Sequence, residues 1–435
     1  MEVDKVLVPA LLQNLLDASK YDDSDEGGEL NIISSTRSCL ISIAETMKDG
    51  FLEYAIKFVG TYLLSQNLLE LRAGLITYSC MLDGPSPKSL AQLVTQALPT
   101  ITEILIKSNN LILQEEASIA LERTAEVIPQ AYFQEPLFSN ISEGLTAAIQ
   151  AHPRISLHIT KLWHNLGEDI VKKINQNKEF PLDFSVVIDQ LINNAFRDLD
   201  KEYFILIDHS LLAVMTLLLC TSKEETRGKY VHALVEQFKK TGNVGGERRE
   251  LIQAGLLACL QTLLHKYQFR TQDPVAEEIF NLINDMFQAY NDVTADGIYV
   301  LGALASSLGT DFRPFSEKAW ICIAEGFKKY DQPELFVATL SAIVEMASAC
   351  PEQTKNYLGD IFKTLVTLID EKTYDKSLKL RIIMSIGDIA LGCKDLILPY
   401  VETLTRMYEV AMNAATHIPT QVLKKLFLCN INFLS

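Results

Sequence analysis

A helix, a break and a second, more apolar helix recur along this chain, and that recurrence limits its fold more than any other feature. The stretch from Glu70 to Leu105 shows the unit. Leu71, Leu75, Tyr78 and Leu82 keep helical spacing, so one stripe of the first helix is apolar. Asp83-Gly84-Pro85-Ser86-Pro87 then stops it, since glycine ends a helix and two prolines forbid its continuation. Leu90, Leu93, Val94, Ala97, Leu98, Ile101, Ile104 and Leu105 begin a helix too apolar to stand in water alone. It requires helical neighbours on more than one side.

The second helix of each such hairpin is expected to begin near Ile33, Leu69, Leu111, Arg154, Lys201, Glu247, Val293, Pro333, Lys376 and Pro419, at gaps of 36 to 47 residues. Periods of this size fit HEAT or armadillo arrays and exceed the 34 residues of tetratricopeptide units. With 48% hydrophobic residues, only 20 Gly and 14 Pro, and little β-branched alternation, the fold class is all-α. No Gly-, Ser- or Pro-rich linker divides the chain. The expectation is therefore a HEAT-repeat α-solenoid, a right-handed superhelix of about ten stacked hairpins, running as one continuous array over residues 1–435. The last hairpin ends in the apolar KKLFLCNINFLS and the first starts abruptly at an apolar helix, which suggests a fragment of a longer array or a partner over the ends.

Chemistry is sparse. The net charge is 39 − 55 = −16, which disfavours nucleic acid and anionic membranes and permits a basic partner; simple solubility is the other reading. The eight cysteines lie no closer than the 28 residues between Cys322 and Cys350, so no zinc spacing exists, and most sit in apolar runs expected to form core in a reducing compartment. The seven histidines form no HExxH, and Gly242-Asn243-Val244-Gly245-Gly246 lacks the Lys-Ser/Thr end of a phosphate loop. No catalytic signature, metal site or cofactor site is found, and an enzyme is not expected. Asn140-Ile141-Ser142 matches a glycosylation sequon without a secretion signal. The most apolar run, Leu211–Cys220, is 10 residues long and too short to span a bilayer. What remains is a large surface suited to binding.

Several stretches resemble the importin β family, the karyopherin nuclear-import receptors. They are the acidic loop Asp22 to Glu29, MLDGPSPKSLAQLVTQALPTITEIL at 81–105, EGLTAAIQAHPRIS at 143–156 and GDIAL at 387–391; the similarity covers nearly all of the chain, over the family's middle and C-terminal HEAT repeats. The resemblance implies that the family's Ran-gripping N-terminal repeats lie upstream of Met1, and its last repeats beyond Ser435. It implies partners: Ran GTPase, an importin α-type adaptor or basic cargo, and FG nucleoporins, with shuttling between cytoplasm and nucleus through the pore. Nucleic acid and membrane insertion are not among them.

The resemblance also assigns residues. Asp22, Asp23, Asp25 and Glu26 would form the loop that touches Ran and cargo; taken alone, an acidic loop of this kind is usually just a solvated turn. Glu115, Glu116, Glu122, Trp163, Glu168 and Asp169 would lie on the concave cargo face, unless the acids form an ordinary solvated helix face and Trp163 packs inside. Phe287, Trp320, Phe327 and Phe362 would line outer grooves for nucleoporin phenylalanines, or else form inter-repeat core. The chain departs from the family in its tryptophans. The acidic loop has none, and the positions that clamp the adaptor's basic helix hold Ile119 and Lys161. A HEAT scaffold subunit of some other complex is the alternative function.

Overall fold

The computed structural model describes residues 4–18, 32–134, 136–176, 183–221, 223–269, 273–289, 293–370 and 375–406. These residues fall into two compact units, 1–221 and 222–435. Among the described residues there is no strand. The acidic residues Asp22, Asp23, Asp25 and Glu26, and the helix start expected at Pro419, lie outside the described residues.

Unit 1 is a stack of antiparallel hairpins. Its helices are α1 (Asp4–Ala18), α2 (Ile32–Met47), α3 (Leu52–Tyr62), α4 (Leu68–Cys80), α5 (Pro87–Lys107), α6 (Leu111–Val127), α7 (Leu137–Ala148), α8 (Pro153–Ile174), α9 (Ser185–Ala195) and α10 (Ile205–Cys220). The even-numbered helices, second in each hairpin, pack on one another in sequence order and form one layer; α5, α7 and α9 pack likewise in the other. Unit 2 repeats the plan with α11 (Glu224–Lys240), α12 (Gly246–Leu264), α13 (Pro274–Ala289), α14 (Thr294–Leu308), α15 (Arg313–Phe327), α16 (Pro333–Ala349), the single turn α17 (Pro351–Thr354), α18 (Leu358–Asp370) and α19 (Lys376–Cys393). There α12, α14, α16 and α19 form the second-helix layer.

Helix starts follow local chemistry. The side chains of Asn67, Ser86, Asn110 and Asp375 accept backbone N–H bonds at the N-termini of α4, α5, α6 and α19. Pro87, Pro153 and Pro333 occupy first-turn positions, where no donor is lost. Second helices therefore begin within a residue of the expected Ile33, Leu69, Leu111, Arg154, Glu247, Val293, Pro333 and Lys376. The fifth differs: Lys201–Tyr203 is a 3₁₀ turn and α10 starts at Ile205.

That helix also corrects the reading of its length. With the turn before it, the helical stretch Lys201–Cys220 is 20 residues long, its most apolar part has a mean hydropathy of 2.0, and by length and composition it could cross a membrane. In unit 1 it packs between α8 and α9, and 56% of its most apolar stretch is buried.

The break at Asp83–Pro87 serves packing as well as termination. A Cβ on Gly84 would lie 1.8 Å from the Ala44 carbonyl oxygen, so glycine alone lets the turn rest on the end of α2. Asp49 secures the same seam: it accepts the Ser86 N–H at 2.7 Å and the Ser89 hydroxyl at 2.9 Å, and these bonds hold its carboxyl below the usual range. Buried polar groups are joined across hairpins. The Tyr78 and Thr124 hydroxyls lie 3.0 Å apart, and Asn194 donates to Ser156 and Ser210 at 3.0 and 2.9 Å. Such bonds remove the cost of burying those groups.

The cysteines behave as core. Cys80, Cys220, Cys259, Cys322, Cys350 and Cys393 are buried, Cys39 is exposed, and Cys429 lies outside the described residues. Burial pushes the thiols of Cys80 and Cys393 up to about 12 and that of Cys350 up to about 11, so these are unreactive sulfurs.

Candidate protein-binding surfaces

In unit 2 a groove of about 510 Å³ lies between the first-position helices α15 and α18. Trp320, Ile323, Ala324 and Phe327 wall one side, at helical spacing along α15. Tyr357, Ile361, Thr364 and Leu368 wall the other, and the fully buried Ile343 of α16 closes the floor. Tyr330 stands at the rim, 46% exposed. The Trp320 and Tyr357 rings stack at 4.4 Å between centroids and 19° between planes. Their faces are in contact, so the pair closes that end of the groove.

The four aromatic residues expected to line such grooves separate here. Trp320 is only 3% exposed, yet its ring borders the groove, and its indole nitrogen has no hydrogen-bond partner. Phe327 is half-buried, borders the groove, and stacks on Phe336 at 5.7 Å. Phe362 is core instead: it is 1% exposed, sits edge-on to Tyr400 at 5.4 Å, and points away from the groove that its helix borders. Phe287, half-buried on α13, is also not among the lining residues. Tyr357, Ile323 and Ile361 were missed. The stripe at 320, 323, 324 and 327 would have shown the α15 wall, but its pairing with α18 depends on how the hairpins stack.

Two other grooves in unit 2 are lined by a larger share of charged residues. One, of about 460 Å³ between α11 and α13, is lined by Lys239, Arg249, Glu278 and Asp285 among others; the second, of about 740 Å³ between α13 and α15, by Asp273, Glu277, Asp311 and Arg313. Among the described residues no group of three or more His, Cys, Asp or Glu side chains is placed to hold a metal ion.

In unit 1 the acids of the second-helix layer are engaged by neighbouring cations. Glu116 is a buried hub: both its oxygens accept the Arg37 Nη2 at 2.7 Å, and Arg72 Nε lies at 3.6 Å. Glu115 faces Arg154 at 3.8 Å. Glu122 pairs with His158 and has Lys161 at 4.0 Å. Glu168 lies between His164 at 3.8 Å and Lys172 at 3.5 Å, and Asp169 pairs with Lys173 at 2.6 Å. His164 also bonds the Thr216 hydroxyl of α10 at 2.9 Å. Burial lowers the pKa values of His164 and His209, and Lys161 adds to the effect at His209.

Two expected face residues are thus corrected. Trp163 is fully buried, edge-on to Phe184 at 6.3 Å, because the apolar stripe of α8 that contains it faces the core. Glu116 is 5% exposed, drawn inward by two arginines rather than offered to a ligand.

Comparison with known proteins places these surfaces in context. Residues 140–423 match the family described as importin subunit beta-1-like, TPR repeats. Importin subunit beta-1 of Saccharomyces cerevisiae is 22% identical over 421 residues, covering 94% of this chain and 48% of that protein. The chain thus spans about half the length of the curated relatives it matches. The solved structure of yeast importin-beta (Kap95p) superposes with a TM-score of 0.81 at 19% identity, over 99% of this chain and 50% of the other. A Kap95:Nup1 complex gives 0.79 at 19% identity over 99% and 51%. A structure of Kap95p bound to RanGDP gives 0.75 at 19% identity over 99% and 50%. The fold is therefore the importin-β type of HEAT-repeat solenoid, and with the family match covering well over half of its residues, this chain belongs to the importin subunit beta-1-like family.

Proposed function

We propose that this chain acts in a nuclear transport receptor, moving between cytoplasm and nucleus and taking FG segments of nucleoporins in the α15–α18 groove. The groove carries the proposal. It offers the Trp320–Tyr357 stack at one end, Ile323, Ile343 and Ile361 along its walls and floor, and a volume of about 510 Å³, and an inserted phenylalanine would bury an area of ~150–250 Å². A contact of that size is weak and reversible, as repeated release requires. The two other grooves of unit 2 are lined more by charge and suit such a ring less. The solved complexes of the yeast neighbour with Nup1 and with RanGDP support the same assignment. Cargo or adaptor binding falls to the second-helix layer in this reading, and competition by Ran to the loop Asp22, Asp23, Asp25 and Glu26. A solenoid suits competition because small adjustments at each interface add along the array.

Titration of the 435-residue protein with an FG-repeat peptide tests the groove. Ala324 is exposed on its wall, so Ala324→Arg should fill it without disturbing the core. Affinity is expected to fall about tenfold or more, the equivalent of ~1.4 kcal/mol. Unchanged affinity in the variant would remove the groove from the account.

A further inference from the structure

The link between α4 and α5 carries the one serine or threonine of this chain that stands directly before a proline. Of the 14 prolines, only Pro87 follows a hydroxyl-bearing residue, Ser86. Ser86, Pro87, Lys88 and Ser89 are all exposed, whereas Pro85 before them and Leu90 after them are buried. The proline holds Ser86 extended, at φ −67° and ψ 143°, so the chain enters α5 from an open turn at the surface.

The same serine fastens two hairpin links together. Its backbone N–H donates to Asp49 Oδ1 at 2.7 Å, and its hydroxyl donates to Asp49 Oδ2 at 3.4 Å. The Ser89 hydroxyl lies 2.8 Å from that of Ser86 and donates to Asp49 Oδ2 at 2.9 Å. Asp49 belongs to the turn Lys48–Phe51, which joins α2 to α3. One exposed carboxylate thus ties the link between the first and second hairpins to the link between the second and third. Among the described residues, a backbone N–H and hydroxyls hold that carboxylate, and no cation does.

We propose that Ser86 is a phosphorylation site for a proline-directed protein kinase, and that the phosphate unfastens this tie. In the transfer, Ser86 Oγ bonds to the γ-phosphorus of ATP and the bond from that phosphorus to the β,γ-bridging oxygen breaks. ADP leaves, and the hydroxyl proton passes to the catalytic base of the kinase. The product carries a charge of about −1.5 to −2 and no longer has a hydroxyl donor. Beside the Asp49 carboxylate it replaces attraction with repulsion. At the start of α5 the same charge is favourable, because the N-terminal end of a helix stabilises anions. The helix therefore keeps its start while the tie between links is lost. The proposal does not depend on the FG groove, which lies in unit 2 and is tested by a peptide.

The experiment incubates the 435-residue protein with ATP and a cyclin-dependent or mitogen-activated kinase, and maps the product by mass spectrometry. One phosphate is expected, on Ser86, and none at that position in Ser86→Ala. The phosphorylated protein should keep its far-ultraviolet circular dichroism, melt a few degrees lower, and exchange amide hydrogens faster in Lys48–Phe51. Ser86→Glu should show the same changes at smaller size. In Asp49→Asn, which removes the charge, phosphorylation should shift the melting temperature less than half as much as in the parent. Ser86 left unmodified while a peptide substrate in the same reaction is phosphorylated, melting and exchange unchanged by the phosphate, or an equal shift in Asp49→Asn would each overturn the proposal.

Discussion

The two units hold their second-helix layers together by different means. In unit 1 the links between neighbouring helices include charged and polar side chains: Arg37 and Arg72 on Glu116, His158 and Lys161 on Glu122, His164 on Thr216. In unit 2 the α14–α16 seam is one of close backbone approach. A Cβ on Gly302 would stand 2.9 Å from the Ala342 Cα, nearer than side chains pack, so glycine there lets two helices touch. The ion pairs His232–Asp273 at 3.6 Å and Lys239–Glu278 at 2.9 Å join the first-position helices α11 and α13 instead. The same hairpin plan thus yields a seam sensitive to charge and pH in one unit and a seam sensitive to volume in the other.

The chain's two tryptophans allow the units to be read separately, since Trp163 is buried in unit 1 and Trp320 in unit 2. Unfolding followed by fluorescence in Trp320→Phe reports unit 1, and in Trp163→Phe reports unit 2. This matters because a chain of two units need not unfold in one step.

The largest effect is expected from Glu116→Ala, which leaves two arginines uncompensated in a mostly buried site. Losses of about 3–5 kcal/mol attend such changes, and they should appear in urea denaturation read through Trp163. A loss near zero would mean that Arg37 and Arg72 reach water readily, and the hub would lose its structural role. Next comes Gly302→Ala, expected to cost about 1–3 kcal/mol by overpacking and to be read through Trp320. Gly242→Ala, with nothing within 4 Å of its added methyl, is the control and should be nearly silent. If the two glycine variants behave alike, close approach is not what holds that seam.

The pH dependence should be smaller and confined to unit 1. His164 is lowered by burial and by Lys172 and raised by Glu168; His209 is lowered by burial, Lys161 and His164 and raised by Asp208 and Glu122. Above the ordinary imidazole value of about 6.5 both folded and unfolded forms are neutral, so these groups contribute nothing to the slope there. As pH falls below it the unfolded chain takes up protons first, and stability is lost until the folded values are passed. Melting monitored by Trp163 should therefore drop by a few degrees between about pH 7 and about pH 5.5, and His164→Gln/His209→Gln should flatten that slope. A slope equally steep in the double variant would assign it to other groups. Smallest of all is Lys239→Ala. Its partners Glu236 and Glu278 are exposed, and a melting curve indistinguishable from the parent is expected.

Much of this architecture was readable from residues alone. Eight second-helix starts fell within a residue of expectation because prolines, capping side chains and apolar spacing act over one turn of chain. The start of α10 was placed early because Lys201–Tyr203 forms a 3₁₀ turn that a periodicity count does not separate from helix. The candidate surfaces were harder. Phe327 and Phe362 looked equivalent as aromatics on first-position helices, yet one borders a groove and the other packs on Tyr400. Glu115 and Glu116 are neighbours in sequence, and only the second is drawn beneath two arginines.

The sequence by itself determined that this chain forms helices, where most of them begin, and that they must stack, because those outcomes depend on contacts within a turn and on the total of apolar surface. Only the tertiary structure decided which charges remain available. Arg37 reaches Glu116 across 79 residues of sequence, and the depth of each partner follows from how adjacent hairpins settle against one another. A carboxylate's burial belongs to the neighbours that surround it, and no local pattern encodes those neighbours.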